Sequence, residues 1–219
     1  MIEAIIFDFD GVIVESADIK TDAFRELFRD YPEQVDEIVD YHLKNAGISR
    51  YVKFRYMYEH LLAKELSKKK ETELGTEFSR IVLEKVLVAP FVPGAKDFLS
   101  ANKDRYMFFI ASGTPEEELR DIVHERGLEE YFREVHGSPG QKKDIINGII
   151  ERYGLSRDEV VYVGDAESDR IAAEQTKVAF VERKSNLEPE RREGLCVVED
   201  LTHLSKILEK IEENNRRYD

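Results

Sequence analysis

Sulfur is scarce in this chain. Among 219 residues there is one cysteine, Cys196, so no internal disulfide can form. That fits a reducing compartment, and the expected location is cytoplasmic. Positive charge is also short: 46 Asp and Glu stand against 33 Lys and Arg, a net charge of −13. A surface this acidic disfavours nucleic acid and anionic membrane as partners. Small phosphorylated metabolites remain open as partners, because a metal or a local group of cations overrides the global sign. No apolar run approaches the ~18 residues that a membrane span needs. Glu3 and Asp8 stand where a secretory leader would be basic and then apolar, so no leader is expected. His and Cys do not cluster, which argues against a zinc site.

What is present is enough for a large core. The chain is 42% hydrophobic, and its length suits one domain carrying a smaller inserted one. Strand-like runs are AIIF (4–7), YMFFIA (106–111), EVHG (134–137), VVYVG (160–164), VAFV (178–181) and LCVV (195–198). From residue 90 onward they alternate with helical patterns, which reads as a parallel sheet with crossover helices. The expected fold is α/β, a doubly wound parallel sheet. Residues 17–87 contain no strand pattern and read as about four helices inserted after the first strand. The expected division is an α/β core at 1–15 and 89–219, with a helical cap at 16–88. SKKKE (67–71) reads as a solvated turn between cap helices. In TPEE, Thr114 reads as a helix N-cap, Pro115 as a first-turn proline and Glu117 as a capping-box acid. Ser156 and Glu159 read as a second capping box.

In an open α/β sheet, ligands bind beyond the carboxyl ends of the strands. The polar residues there are Asp8 and Asp10 after the first strand, and Ser112 with Gly113 after YMFFIA. Asp165 and Asp169 follow VVYVG, while Lys142 and Lys143 follow GSPGQ. If these strands are neighbours, four carboxylates converge. Each like-charge pair at ~4 Å then costs roughly 4 kcal/mol at an effective dielectric near 20. A hard divalent cation resolves the conflict, and Mg²⁺ suits oxygen ligands and phosphate-bearing substrates.

Four strings, DFDGV, ASGT, GSPGQK and GDAESD, taken in this order and spacing, resemble the four motifs of the haloacid dehalogenase superfamily. The resemblance spans the whole chain, helical cap included, and points to its phosphoglycolate phosphatase and β-phosphoglucomutase-like subgroup. It implies a phosphoric monoester hydrolase. Asp8 would be the nucleophile that forms an aspartyl-phosphate. Asp10 would be the general acid and base. The chain is expected to leave strand geometry at Phe9–Asp10, where Gly11 permits it. The resemblance makes Asp8, the backbone carbonyl of Asp10 and Asp165 the Mg²⁺ ligands, with Asp169 orienting metal waters or the motif lysine. Ser112 and the Gly113 amide would hold phosphoryl oxygens. The proline-to-lysine spacing favours Lys142 over Lys143 as the lysine that neutralises Asp8 and phosphate.

AGISRYVKF (46–54) resembles the cap loop that meets substrate in sugar-phosphate phosphatases and mutases. There Gly47 would allow a tight turn, and Arg50 either binds substrate or is an exposed residue of a helix capped by Ser49. Relatives of the mutase type often carry His where this chain has Lys20 and Asp where it has Glu15. The resulting expectation is a Mg²⁺-dependent phosphatase of small phosphomonoesters, phosphoglycolate or sugar phosphates. The alternatives are a phosphomutase and a catalytically silent ligand-binding relative. Asp10 argues against a dehalogenase or a phosphonate hydrolase.

Overall fold

The computed structural model describes residues 1–184 and 196–215. Six parallel strands lie in the order β3-β2-β1-β4-β5-β6. They are β1 (Ala4–Phe7), β2 (Met107–Pro115), β3 (Phe132–Ser138), β4 (Val160–Gly164), β5 (Ala179–Arg183) and β6 (Cys196–Val198). Every expected strand is present, although Leu195 of LCVV lies outside the described residues.

β1 is short and wholly buried because it is central, with Ile5 opposite Phe108 on one side and Val161 on the other. Its side chains alternate between two apolar layers. Ile5 and Phe7 join the layer holding Phe98 and Phe108, while Ala4 and Ile6 join the layer holding Phe109, Ile146 and Tyr162. The first layer receives α5 (Ala95–Asn102), α6 (Glu116–Glu125) and α9 (Leu204–Asn215). The second receives α7 (Lys142–Tyr153) and α8 (Glu167–Thr176). The fold is therefore a doubly wound α/β sheet.

Four helices stand between β1 and α5. They are α1 (Ala17–Leu27), α2 (Val35–Lys44), α3 (Arg50–Tyr56), which runs into a π-turn at Met57–Leu61, and α4 (Lys68–Val88). Phe24, Phe54 and Phe78, from three of them, meet in an aromatic cluster.

Two local expectations are corrected. SKKKE is not a turn. Ser67 Oγ accepts from the Lys70 amide at 3.2 Å, so residues 68–71 form the first turn of α4, and Glu71 is buried against Arg55. Thr114 does not cap α6. β2 runs on to Pro115, which is itself the N-cap, and the Thr114 hydroxyl is used elsewhere. The Ser156–Glu159 capping box is present, on a single 3₁₀ turn.

Candidate active site

The carboxyl ends of β1, β2 and β4 open onto one cavity. The chain leaves β geometry after Phe7, and the amides of Val12, Ile13 and Val14 all donate to the Phe9 carbonyl. In a regular strand Asp8 and Asp10 would share a face; the turn separates them. Gly11 makes that turn possible. Its φ is +74°, and a Cβ there would lie 2.1 Å from Asp165 Oδ2.

Asp8 is buried, and its Oδ2 accepts from Lys142 Nζ at 2.8 Å. The same ammonium donates to Asp169 Oδ1 at 2.5 Å. Lys142 is the first residue of α7 and is itself buried, so it, not Lys143, stands against Asp8. Asp169 is fully buried, with Oδ2 accepting from the Ala166 amide at the start of α8 and Oδ1 also accepting from Tyr162 Oη. With its oxygens so occupied, Asp169 fixes the position of Lys142.

One carboxylate oxygen each of Asp8, Asp165 and Asp169 lies within 4.8 Å of the others. Burial, opposed by Lys142 and reinforced by Asp169 and Asp10, pushes Asp8 up to about 6. Burial, with Asp8 and Asp169 beside it, pushes Asp165 well above the carboxylate range. For Lys142, burial disfavours the charge, but Asp169 and Asp8 outweigh it and raise its pKa. Three acids against one ammonium leave an excess of negative charge in a dry site. An all-oxygen donor set of this kind fits a hard divalent cation.

The Asp10 carboxylate stands apart from this triad. It takes Ser16 Oγ at 2.6 Å, Thr114 Oγ1 at 2.9 Å and an ion pair from Lys20 of α1. Burial would raise its pKa, but Lys20 and these hydrogen bonds outweigh burial and hold it below the ordinary value. Lys20 also donates to Thr114 at 2.7 Å, tying the helical insert to the β2 loop. Ser112 is buried, and its Oγ accepts from the Thr114 amide at 3.3 Å. Ser112 and Gly113 line the same cavity as Asp8 and Asp10.

The inserted helices cover the cavity. Gly47, at φ +73°, passes so close to the core that a Cβ would meet Ser168 Oγ at 2.3 Å and Lys142 Nζ at 2.9 Å. Ser168 Oγ donates to the Ala46 carbonyl at 3.0 Å. Arg50 is neither exposed nor free. Its guanidinium is forked onto Glu118 of α6 at 2.6 and 3.0 Å, with Ser79 at 2.8 Å. Ser49 makes no side-chain cap bond. Glu15 is held by Arg183 of β5, which also reaches the Gly11 carbonyl.

Sequence reasoning missed Tyr162, the Thr114 hydroxyl as a partner of Asp10, and a buried pair on the insert, Lys53 with His42, whose Nζ and Nδ1 are 2.9 Å apart. A signal for Lys53 was there. It shares a helical face with Arg50, Phe54 and Met57, so a charge falls on an otherwise core-facing stripe.

The sequence pattern of the haloacid dehalogenase-like hydrolases matches residues 2–176, and the chain belongs to that family of enzymes. Among its curated relatives is a phosphorylated carbohydrates phosphatase of Thermotoga maritima, 24% identical over 204 residues and 90% of each chain. Another is a phosphoglycolate phosphatase of Aliivibrio fischeri, 23% identical over 184 residues, or 79% of this chain and 80% of that one. The fold is shared with CbbY of Rhodobacter sphaeroides, solved in complex with phosphate. That match has a TM-score of 0.74 at 15% identity and covers 93% of this chain and 96% of that one. A predicted phosphoglycolate phosphatase of Haemophilus somnus superposes with a TM-score of 0.72 at 18% identity, over 94% and 98% of the two chains.

Proposed function

We propose that this hydrolase is a Mg²⁺-dependent phosphatase of small phosphomonoesters, working through an aspartyl-phosphate on Asp8. The observation that carries the reading is the contact of Lys142 with Asp8 inside a buried acid triad, at the mouth of a cavity lined by Ser112 and Gly113. The relatives' names point the same way, to phosphorylated carbohydrates and phosphoglycolate as substrates.

Asp8, Asp165 and the Asp10 carbonyl would hold Mg²⁺. The ion would neutralise the acids and draw charge from the phosphoryl oxygens. Lys142 adds a second positive charge beside Asp8, and Ser112 Oγ with the Gly113 amide supplies donors to the phosphoryl group. Asp8 attacks phosphorus; its Oδ–P bond forms as the ester P–O bond breaks, and the leaving oxygen takes the proton of the Asp10 carboxyl, leaving Asp10 as the carboxylate. Water then attacks the phosphoaspartate and gives its proton to Asp10. The Oδ–P bond breaks, releasing inorganic phosphate and restoring Asp8. Lys20 favours the carboxylate form of Asp10, the form needed to take the water's proton. The insert over the cavity would exclude bulk water during these steps.

The test is hydrolysis of a panel of phosphomonoesters with and without Mg²⁺, for the native protein and Asp8→Asn. Turnover that needs Mg²⁺ and disappears in Asp8→Asn is expected. Full activity in Asp8→Asn would overturn the mechanism. Conversion of glucose 1-phosphate that depends on a sugar bisphosphate would select a mutase instead.

A further inference from the structure

The cavity has a second pole. Asp8, Ser112 and Gly113 stand at its core end, and Lys53 and His42, from α3 and α2, line its cap side. Its volume is about 60 Å³, where about 10–15 Å³ admits one water, so the cavity suits a small substrate and excludes a bulky one.

Lys53 is 3% exposed, yet it lacks what the other cations of the cavity have. Among the described residues, Lys20 is paired with Asp10, Arg50 with Glu118, and Lys142 with Asp8 and Asp169. The polar partner of Lys53 is instead the ring of His42, at 2.9 Å, which is stacked on Phe24 with ring centroids 4.4 Å apart. Burial and the neighbouring Lys53 and Lys20 hold His42 down to about 2, so it is neutral and its Nδ1 can accept from Lys53. Burial, with Lys20, Lys142 and Arg50 nearby, pushes Lys53 well below the ordinary lysine value, so an anion arriving beside it restores the charge. As an ammonium it has three donors, one of them spent on His42.

A lysine used only as filler beside Phe24 makes little sense, since a methionine would fill the space without a polar head to desolvate. The other cationic side chain of α3 facing the cavity, Arg50, has its fork filled by Glu118. We propose that Lys53, positioned by His42, is the receptor for a second anionic group on the substrate. The enzyme then selects small phosphomonoesters whose far end carries a carboxylate or another phosphate over those with a neutral tail. This rests on the phosphatase reading for the phosphoryl end, but the receptor can be tested without turnover.

The experiment compares 2-phosphoglycolate, 1,3-propanediol bisphosphate and the neutral-tailed 2-hydroxyethyl phosphate. For the native protein, Lys53→Met and Lys53→Arg, kcat/KM is measured with Mg²⁺, and calorimetric Kd with Mg²⁺ in the Asp8→Asn background, where the ester is not turned over. The native protein is expected to prefer one anionic tail over the neutral one by about 30-fold or more, the scale on which a buried charge pair discriminates. The favoured tail identifies the group as carboxylate or phosphate. Lys53→Met should abolish that preference, bringing the ratio between anionic and neutral tails to within about threefold of one, mainly through KM and Kd. Lys53→Arg should keep part of it. A thermal melt of Lys53→Met at or above the native midpoint shows that the variant folds. If both tails weaken equally in Lys53→Met, or the native protein shows no tail preference in either measurement, the receptor is overturned. If no ester turns over but the tail preference persists in Kd, the phosphatase reading fails and the receptor stands.

Discussion

The two walls of the cavity are built on opposite charges. The sheet side gathers acids: Asp8, Asp165 and Asp169, with Lys142 as their one close ammonium. The helical side presents Lys20, Arg50 and Lys53 on an aromatic bed of Phe24 and Phe78. The sheet wall is held by backbone register, because Asp8 and Asp165 follow the ends of the paired strands β1 and β4, with Asp169 in the first turn of α8 behind them. The helical wall is held by side chains, chiefly Arg50 to Glu118 and Lys20 to Asp10 and Thr114. Chemistry that is the same for every phosphoester belongs on the rigid wall, and selection belongs on the wall that can separate from it.

That contrast can be broken at its strongest point first. Asp8→Asn, on the sheet wall, is expected to lower kcat for every ester by about 10⁴-fold or more, read by phosphate release. Lys142→Met should lower kcat by about 10³-fold, again without regard to substrate, because it removes the positive charge beside Asp8. A loss confined to one substrate class would move Lys142 to the selecting side of the comparison.

Changes on the helical wall should act differently. Arg50→Met strands Glu118 and should cost about 3 kcal/mol of stability, seen in urea unfolding. Adding Glu118→Leu should recover much of it. If Arg50→Met instead raises KM with stability unchanged, Arg50 is a substrate ligand, one of the two readings the sequence left open, and not a tie between the helical insert and α6.

The smallest effect is set by pH. His42 is near 2 in the folded protein, against an ordinary value of 6.5. The unfolded chain takes up a proton below 6.5 that the folded protein refuses, so stability is complete above that pH and falls as pH drops. By pH 5 the loss is about 2 kcal/mol. His42→Phe should flatten the slope between pH 7 and pH 5, and an unchanged slope would show that His42 is not what carries it.

Much of the sheet wall was legible in the sequence. Buried parallel strands read as short β-branched or aromatic runs, and Asp8, Asp10 and Asp165 fall just beyond strand ends, while Ser112 lies within β2, Lys142 opens α7 and Asp169 sits in the first turn of α8. The spacing from Pro139 favoured Lys142 over Lys143, and the structure supplies the reason: adjacent helical residues point about 100° apart, and Lys142 is the one buried against Asp8. Thr114 was read as a cap because a Thr-Pro-Glu-Glu string has that local meaning. Its hydroxyl instead serves Asp10, 104 residues away in the chain. SKKKE failed for a related reason: a charged run looks like a turn until Ser67 is seen to cap it and Glu71 to be buried beneath Arg55.

The sequence by itself determined the alternation of strands and helices, the place of the insert and the acids at the strand ends. Those follow from periodicity and from the rule that ligands meet open sheets at their carboxyl edge. Tertiary structure alone decided the other partners of the buried charges: Asp169 to Tyr162, Asp10 to Lys20, Arg50 to Glu118, and Lys53 to a histidine. The physical reason is range. Secondary structure is set by neighbours within a few residues, whereas a buried charge is settled by whatever partner the folded chain brings within about 3 Å, however distant in sequence.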